Sequence, residues 1–406
     1  MTSTQVWIAG GHQTDFARNV TREGLDIGDL TAEVARATLA DAGIEPDEVD
    51  VVHVGNAFGQ LYTGQGHLGA MPASVIPELW HVPASRHEGA CASGSLAILA
   101  AMADLESGRY DCALVLGVEI EKSVPGDIGT NYMSPASWVG HEGQDAKYIW
   151  PYMFARIADE YSARHGLDHA HLWAISELNI RNARRNPRAQ TRIRDYAPEC
   201  FTADDTANPI VEGSLRRIDC GPLTDGAAGL VLVSDRYVAR HPGFDSRARS
   251  RILGWGHRTV GLGLEDKLAR SSADGLMFPH LRATVEDAFG RAGIDRVDDL
   301  DLVETHDCFS ISEYLAIDHF GLTPPGESWR AVESGDLEIG GRLPVNPSGG
   351  LLGGGHPVGA TGVRMALDCH RQVTGTAGGY QVDGARRAAT LNIGGSTTTT
   401  VSLIIG

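Results

Sequence analysis

Two stretches about 250 residues apart repeat one order of apolar and polar positions. EVARATLADAGIEPDEVDVVHVGNAFG (33–59) carries apolar residues at helical spacing, then Ala42-Gly43-Ile44, an acidic turn and the apolar run DVVHV. LRATVEDAFGRAGIDRVDDLDLVETHDCF (281–309) repeats helix, Ala292-Gly293-Ile294, acidic turn and DLDLVET, with the strands in register to within one residue. In both copies glycine stands where a helix end calls for a left-handed residue. A second correspondence follows. SGSLAILAAMADLESG (93–108) predicts a helix leading to the strand CALVLGV (112–118), while GGGHPVGATG opens the helix VRMALDCHRQV before the strand AATLNIGG. Strands that are apolar throughout, such as 112–118 and 229–233, predict a sheet covered on both faces by helices. Internal duplication is the architecture this implies.

The alternation lapses from about 121 to 210, where aromatics, prolines and one long helical pattern, MFARIADEYSARHG, predict an insertion in the first half. The strand signal returns at LTDGAAGLVLVSD (223–235), and RILGWGH near Arg251 reads as the opening strand of the second half. The expected division is therefore 1–120 plus 211–250, an inserted 121–210, and 251–406. A chain of 406 residues exceeds one simple core, consistent with that division. The net charge of −18 argues against nucleic acid or an anionic membrane surface as the main partner. No apolar stretch is long enough to span a membrane, and the start MTSTQVWIAGGHQ does not read as a signal peptide. Six cysteines (91, 112, 200, 220, 308, 369) form no CxxC pair, so neither a disulfide framework nor a zinc ribbon is expected. A reducing compartment, most simply the cytoplasm, is the expected location.

Four segments carry candidate chemistry. In HEGACASGSLAILA (87–100), Cys91 sits at the mouth of the helix that follows it, which is apolar on nearly every side. Free N–H groups there favour a thiolate and can hold an oxyanion. Gly89, Ala90, Ala92 and Gly94 are expected to leave room for a substrate to reach the sulfur. A packed, inert cysteine is the plain alternative. NPSGGLLGGGHPVGATG (346–362) holds His356 among glycines but matches neither GxxxxGK[ST] nor GxGxxG. An imidazole here is placed to take the thiol proton in covalent catalysis. ETHDCFSISEY (304–314) puts His306 and Cys308 at a strand end, where ligands gather in α/β sheets. There Cys308 reads as a second acid/base and His306 as a hydrogen-bond donor or water holder. LNIGGS (391–396) ends a strand in glycines that can offer backbone N–H groups. No metal is expected: His306 and Cys308 lack two further spaced ligands, and His165, His169 and His171 read as the polar start of a helix.

CASGS, LTDGAAGLVL, HDCF and GGGHPVGATG, in this order and at these separations, resemble the thiolase family along nearly the whole chain. The resemblance implies an α/β thiolase fold. Two βαβαβαββ halves would form a five-layered α-β-α-β-α arrangement with an inserted loop domain, assembled as dimers or tetramers. His306-Asp307-Cys308-Phe309 stands where most thiolases have Asn-Glu-Ala-Phe, and Asn392 where they have a second catalytic cysteine. Both departures are similar to the sterol-carrier-protein-type and archaeal-type branch, although the chain ends after the thiolase region without a sterol-carrier extension. The implied roles are Cys91 as nucleophile, His356 as its activator, and Cys308 as proton shuttle. His356, with a water held by His306, would polarise the thioester oxygen, and the N–H groups of Cys91 and Gly394 would form a second oxyanion hole.

The activity so implied is 3-oxoacyl-CoA cleavage by CoA, or the reverse Claisen condensation, through an acyl-cysteine. CoA is a substrate, and no permanently bound cofactor is expected. CoA is anionic, so an acidic chain needs a local basic patch. RNARRNPRAQTRIR (181–194) has six arginines in fourteen positions. Arg181, Arg184 and Arg185, with Ser348 and Gly349, are the expected CoA-binding residues; a solvated charged face is the alternative. Three other functions stay open: a decarboxylative ketosynthase using Cys91, His306 and His356, a retro-aldolase on the same scaffold, and a non-catalytic acyl-CoA-binding subunit. Some relatives work beside a small zinc-ribbon and OB-fold protein, which is the expected partner beyond a second copy.

Overall fold

The structure of the protein is a computed structural model describing residues 4–244, 249–271 and 275–406. The segment 245–248, within the expected 211–250 span, lies outside the described residues. The strands are β1 (Val6–Gln13), β2 (Val51–Gly55), β3 (Ala84–His87), β4 (Cys112–Glu119), β5 (Ile210–Glu212), β6 (Leu215–Arg216), β7 (Gly226–Ser234), β8 (Ser250–Thr259), β9 (Leu302–Thr305), β10 (Ala388–Gly394) and β11 (Thr399–Ile405). The longer helices are α1 (Ile27–Ala42), α2 (Ser93–Glu106), α3 (Ile149–His165), α4 (His169–Ala183), α5 (Pro279–Ala292), α6 (Ser310–Phe320) and α7 (Thr361–Val373).

The repeat is literal at the helix ends. Gly43 and Gly293 cap α1 and α5 with the same angles, φ 67 and ψ 36. The next residue, Ile44 or Ile294, donates back into each helix, closing both ends the same way. A short 3₁₀ turn and a strand follow in both copies.

The main sheet runs β3-β2-β4-β7-β1-β8-β11-β10-β9. It is mirrored about the β1–β8 contact. On one side β1 and β7 are antiparallel, β7 and β4 antiparallel, and β4, β2 and β3 parallel. On the other, β8 and β11 are antiparallel, β11 and β10 antiparallel, and β10 and β9 parallel. The second-half counterpart of β3 shrinks to one bridge, Val303 to Val345. Only Val6–Ile8 of β1 pair with Ser250–Ile252 of β8, so the two halves meet through a short seam.

Each half presents two faces, because strand side chains alternate. Val52, Val54, Leu114 and Leu116 face a core closed by α1, while Val51, Ala113 and Val115 face α2 and α7. Helix α7 touches β1, β4 and β7 of the first half and β9, β10 and β11 of the second, so α2 and α7 form the shared middle layer. On the far side α5 covers β8 and β11. This stacking of helix, sheet, helix, sheet and helix belongs to the thiolase fold. The inserted stretch carries α3, α4 and the small β5–β6 hairpin, and α3 and α4 pack against α6. No helix among the described residues is long and apolar enough to cross a membrane.

Glycine controls how near the middle helices come. A Cβ on Gly94 would meet Gly359 O at 2.8 Å and Val363 N at 2.9 Å, and one on Gly117 would meet Ala360 Cα at 2.5 Å. Gly94 therefore does not open a path to the sulfur, as its position suggested; it lets α2 lie against the segment leading into α7. Gly94→Ala should lower stability by about 1–3 kcal/mol, the usual cost of overpacking, read as a lower urea midpoint with an unchanged slope.

Candidate active site

The Cys91 turn is built from local hydrogen bonds. Ala90 sits at φ 51, unusual for a residue with a Cβ. Glu88 Oε1 accepts from Ala90 N at 2.6 Å, while Ser93 Oγ accepts from Gly89 N at 3.0 Å and donates to Ala90 O at 2.6 Å. The turn delivers Cys91 just ahead of α2, beside a cavity of about 250 Å³ also lined by Cys308, His356 and Gly395. Phe58, Tyr148, Trp150, Phe154 and Phe309 make much of its wall apolar. Phe154 of the insertion stacks on Phe309 of the second half with centroids 4.4 Å apart.

Sulfur and imidazoles from both halves converge here. The ligand atoms of Cys91, His306 and His356 all lie within 4.8 Å of one another, the group among the described residues able to hold a metal ion. The same atoms are those that covalent chemistry would use. The rings of His306 and His356 meet edge to face at 5.1 Å.

Hydrogen bonds assign both tautomers. Thr361 Oγ1 donates to Pro357 O at 3.0 Å, so at 2.7 Å it accepts from His356 Nδ1–H. That leaves His356 Nε2 free to take a proton. Burial and the Arg364 charge push this imidazole down to about 3, so it is neutral. For His306 the assignment is reversed. Ser95 Oγ donates to Asn392 Oδ1 at 2.8 Å, which turns the amide nitrogen toward His306 Nδ1 at 3.1 Å. His306 Nδ1 accepts, and its Nε2–H is a buried donor with no protein partner. A base and a donor thus stand side by side. Ser95 escaped notice as chemistry because it is an ordinary polar residue in its own segment, and Asn392 stood out only as a departure from the family's pattern.

The structure corrects one expectation here. A helix mouth was expected to favour the Cys91 thiolate, yet burial and the nearby Glu121 push the thiol up to about 12, against help from two backbone N–H groups. Those N–H groups belong to Cys91 and Gly395. Gly394 ends β10, where a Cβ would press on Gly89 O, and Gly395 follows at φ 63. Glu119 and Glu121, missed in the sequence, are buried at the end of β4. Glu121 accepts from Thr224 N at 2.9 Å and Val358 N at 2.8 Å, and Glu119 accepts from Gly359 N at 3.1 Å. Their legible signal was a pair of carboxylates, two positions apart, closing an apolar strand.

Cys308 lies 3.8 Å from Ser312 Oγ, and burial raises its thiol well above the usual range. Asp307 does not face the cavity chemistry; it accepts from Leu351 N, Leu352 N and Asn179 and anchors the loop before His356.

The expected CoA residues disperse. Arg181 pairs with Glu338 at 3.1 Å on the surface, and Arg184 and Arg185 are exposed. Ser348 is buried on Glu304, at 2.6 Å, and Arg364, at 2.9 Å, while Gly349 packs on Ala183. None of the five lines the catalytic cavity or its neighbour. That neighbour, about 700 Å³, is lined by Arg194 and Arg217 and shares Val211, Cys220, Gly221 and Pro222 with the catalytic cavity. His171 Nε2 lies 3.0 Å from Glu333, on a helix capped by Asp168.

The family model "Thiolase, N-terminal domain" matches residues 6–236, and "Thiolase C-terminal domain-like" matches 264–406. The chain belongs to the thiolase family. It is 32% identical to an acetyl-CoA acetyltransferase of Methanothermobacter thermautotrophicus, over 96% of both chains. It is 30% identical to human sterol carrier protein 2, covering 97% of this chain and 70% of that one. A solved structure titled "Ltp2-ChsH2(DUF35) aldolase" matches with a TM-score of 0.78 at 23% identity, over 99% of this thiolase and 97% of that chain.

Alkylation of Cys91 by iodoacetamide, mapped by peptide mass, should be slow at about pH 7 and rise about tenfold per pH unit to about pH 10. A plateau by about pH 9.5 would mark an ordinary thiol.

Proposed function

We propose that the protein is a thiolase-type acyltransferase that cleaves 3-oxoacyl-CoA with CoA, or runs the reverse condensation, through an acyl group on Cys91. The observation that carries this reading is the meeting of Cys91, His306 and His356 at one end of an apolar cavity that also holds Cys308.

At rest the pair is neutral, Cys91–SH beside His356 Nε2. As the sulfur attacks the 3-oxo carbon, its proton passes to His356 Nε2. The alkoxide forms against the N–H groups of Cys91 and Gly395, each such donor worth about 3–4 kcal/mol. Breaking the bond between carbons 2 and 3 leaves its electron pair on the departing acetyl-CoA enolate. The enolate oxygen takes hydrogen bonds from His306 Nε2–H and the protonated His356, and Cys308 delivers a proton to carbon 2. A second CoA thiol gives its proton to the Cys308 thiolate and attacks the acyl-sulfur carbonyl, and the departing Cys91 sulfur takes back the proton held by His356. A positioned acid such as Cys308 contributes about 100- to 10,000-fold.

The CoA phosphates lie against Arg194 and Arg217, because their cavity shares four wall residues with the catalytic one. The division at about residue 250 and the assembly as dimers or tetramers are parts of this reading. So is a small zinc-ribbon and OB-fold partner; the solved structure of like fold titled "Ltp2-ChsH2(DUF35) aldolase" names a DUF35 component beside its own chain.

Intact-mass analysis after mixing with a panel of 3-oxoacyl-CoAs should show one acyl adduct, absent from Cys91→Ala; no adduct with any member of the panel overturns the reading. Cys308→Ala should still form the adduct but lose α-proton exchange into D₂O by about 100-fold or more. Arg194→Ala should raise KM for CoA about tenfold, as expected for a lost phosphate contact, with kcat nearly unchanged, whereas Arg181→Ala should leave both unchanged.

A further inference from the structure

The turn that supplies Gly395 is held from behind by a buried cation. Lys267, on the short helix Leu264–Ala269, is only 5% exposed. Its Nζ donates to Ser396 O at 2.5 Å, Ser396 Oγ at 2.7 Å and Thr398 Oγ1 at 2.9 Å. All three ammonium protons are spent on one turn, and among the described residues no carboxylate pairs with the charge. His280 grips the same turn, its Nε2 donating to Thr397 O at 2.8 Å.

The grip is needed because the turn is strained. Thr397 is at φ 63, a left-handed angle costly for a β-branched residue. Thr397 N reaches back to Gly395 O and Thr398 N to Gly394 O, both at 2.9 Å, so the angle at Thr397 is coupled to the direction of the Gly395 N–H. Such an angle persists only where the surroundings over-determine it.

We propose that Lys267 is a positioning residue for the oxyanion pocket, its ammonium locking the 395–398 turn so that the Gly395 N–H points at the Cys91 sulfur. The turnover arm of this proposal rests on the acyl-Cys91 reading above; its geometric arm does not.

The charge state follows from the surroundings. Burial pulls the amine down to about 7, opposed by the field of Glu142. Glu142 itself accepts from Trp138 N and Leu264 N. The side cavity around the amine also holds Asp266, Arg270 and His280, whose neutral ring adds no charge. Below about pH 7 the ammonium makes three charge-assisted bonds. Above it the neutral amine has two protons left and bonds of roughly half the strength. The lock is therefore complete in mild acid and loosens as pH rises through 7.

Lys267→Met keeps the length and removes charge and donors. With Cys91 mapped by peptide mass, the variant should alkylate about tenfold more slowly than wild type at pH 6.5, one unit of lost thiolate stabilisation. The gap should narrow by pH 9, where the wild-type lysine is neutral. Equal rates at both pH values overturn the proposal, whatever the turnover. In the activity arm, kcat should fall about tenfold or more with KM for CoA within about twofold; an unchanged kcat in an active enzyme overturns it. Absence of turnover in wild type refutes the acyl-enzyme reading instead and leaves alkylation to decide this one. If Lys267→Met does not fold, Ser396→Ala with Thr398→Val removes two of the acceptors and is held to the same outcomes.

Discussion

The close crossing between the helix that follows Cys91 and the segment that follows His356 is the constraint on which the rest depends. Gly94 and Gly362 remove the side chains that would hold the two backbones apart. Ser95 then comes within 2.8 Å of Asn392, and Gly359 N reaches Glu119 at 3.1 Å. A sulfur from one half and an imidazole from the other meet only because this layer is thin. Duplication supplies two similar halves, and glycine at their contact makes one site of them.

The electrostatics of the site is that of a dry, neutral interior. Cys91 and Cys308 hold their protons, and His306 and His356 lack extra ones, because burial penalises every charged form. Charge is kept one layer back. Arg364 is buried against Glu304 at 3.0 Å and Asp368 at 3.1 Å, and Asp307 and Glu313 are tied to backbone or amide N–H groups. Breaking one partner of such a cluster leaves an uncompensated charge, so these groups fix loops rather than take part in proton transfer. Electrostatic help appears where charge develops, at N–H groups aimed in advance.

The family assignment and the local geometry inform each other at Asn392. The HDCF segment and the asparagine are two departures more than eighty residues apart along the chain. In three dimensions the asparagine side chain orients the HDCF histidine, and Ser95 orients the asparagine. One substitution thus sets the tautomer that the other requires.

The sequence by itself determined the duplicated order of helices and strands, down to the paired caps at Gly43 and Gly293, because periodicity and turn chemistry are local properties. It also marked Cys91, His306, Cys308 and His356, whose reactive groups stand out among small or apolar neighbours. Tertiary structure decided what those groups experience. Burial and nearby carboxylates reversed the thiolate expected from a helix mouth, since desolvation depends on everything packed around an atom, not on its place in a helix. Tertiary structure also scattered the arginine run over the surface and left Arg194 beside the cavity with the distant Arg217. Charge along a chain is visible in one dimension, but which charges share a cavity is settled only when the chain folds.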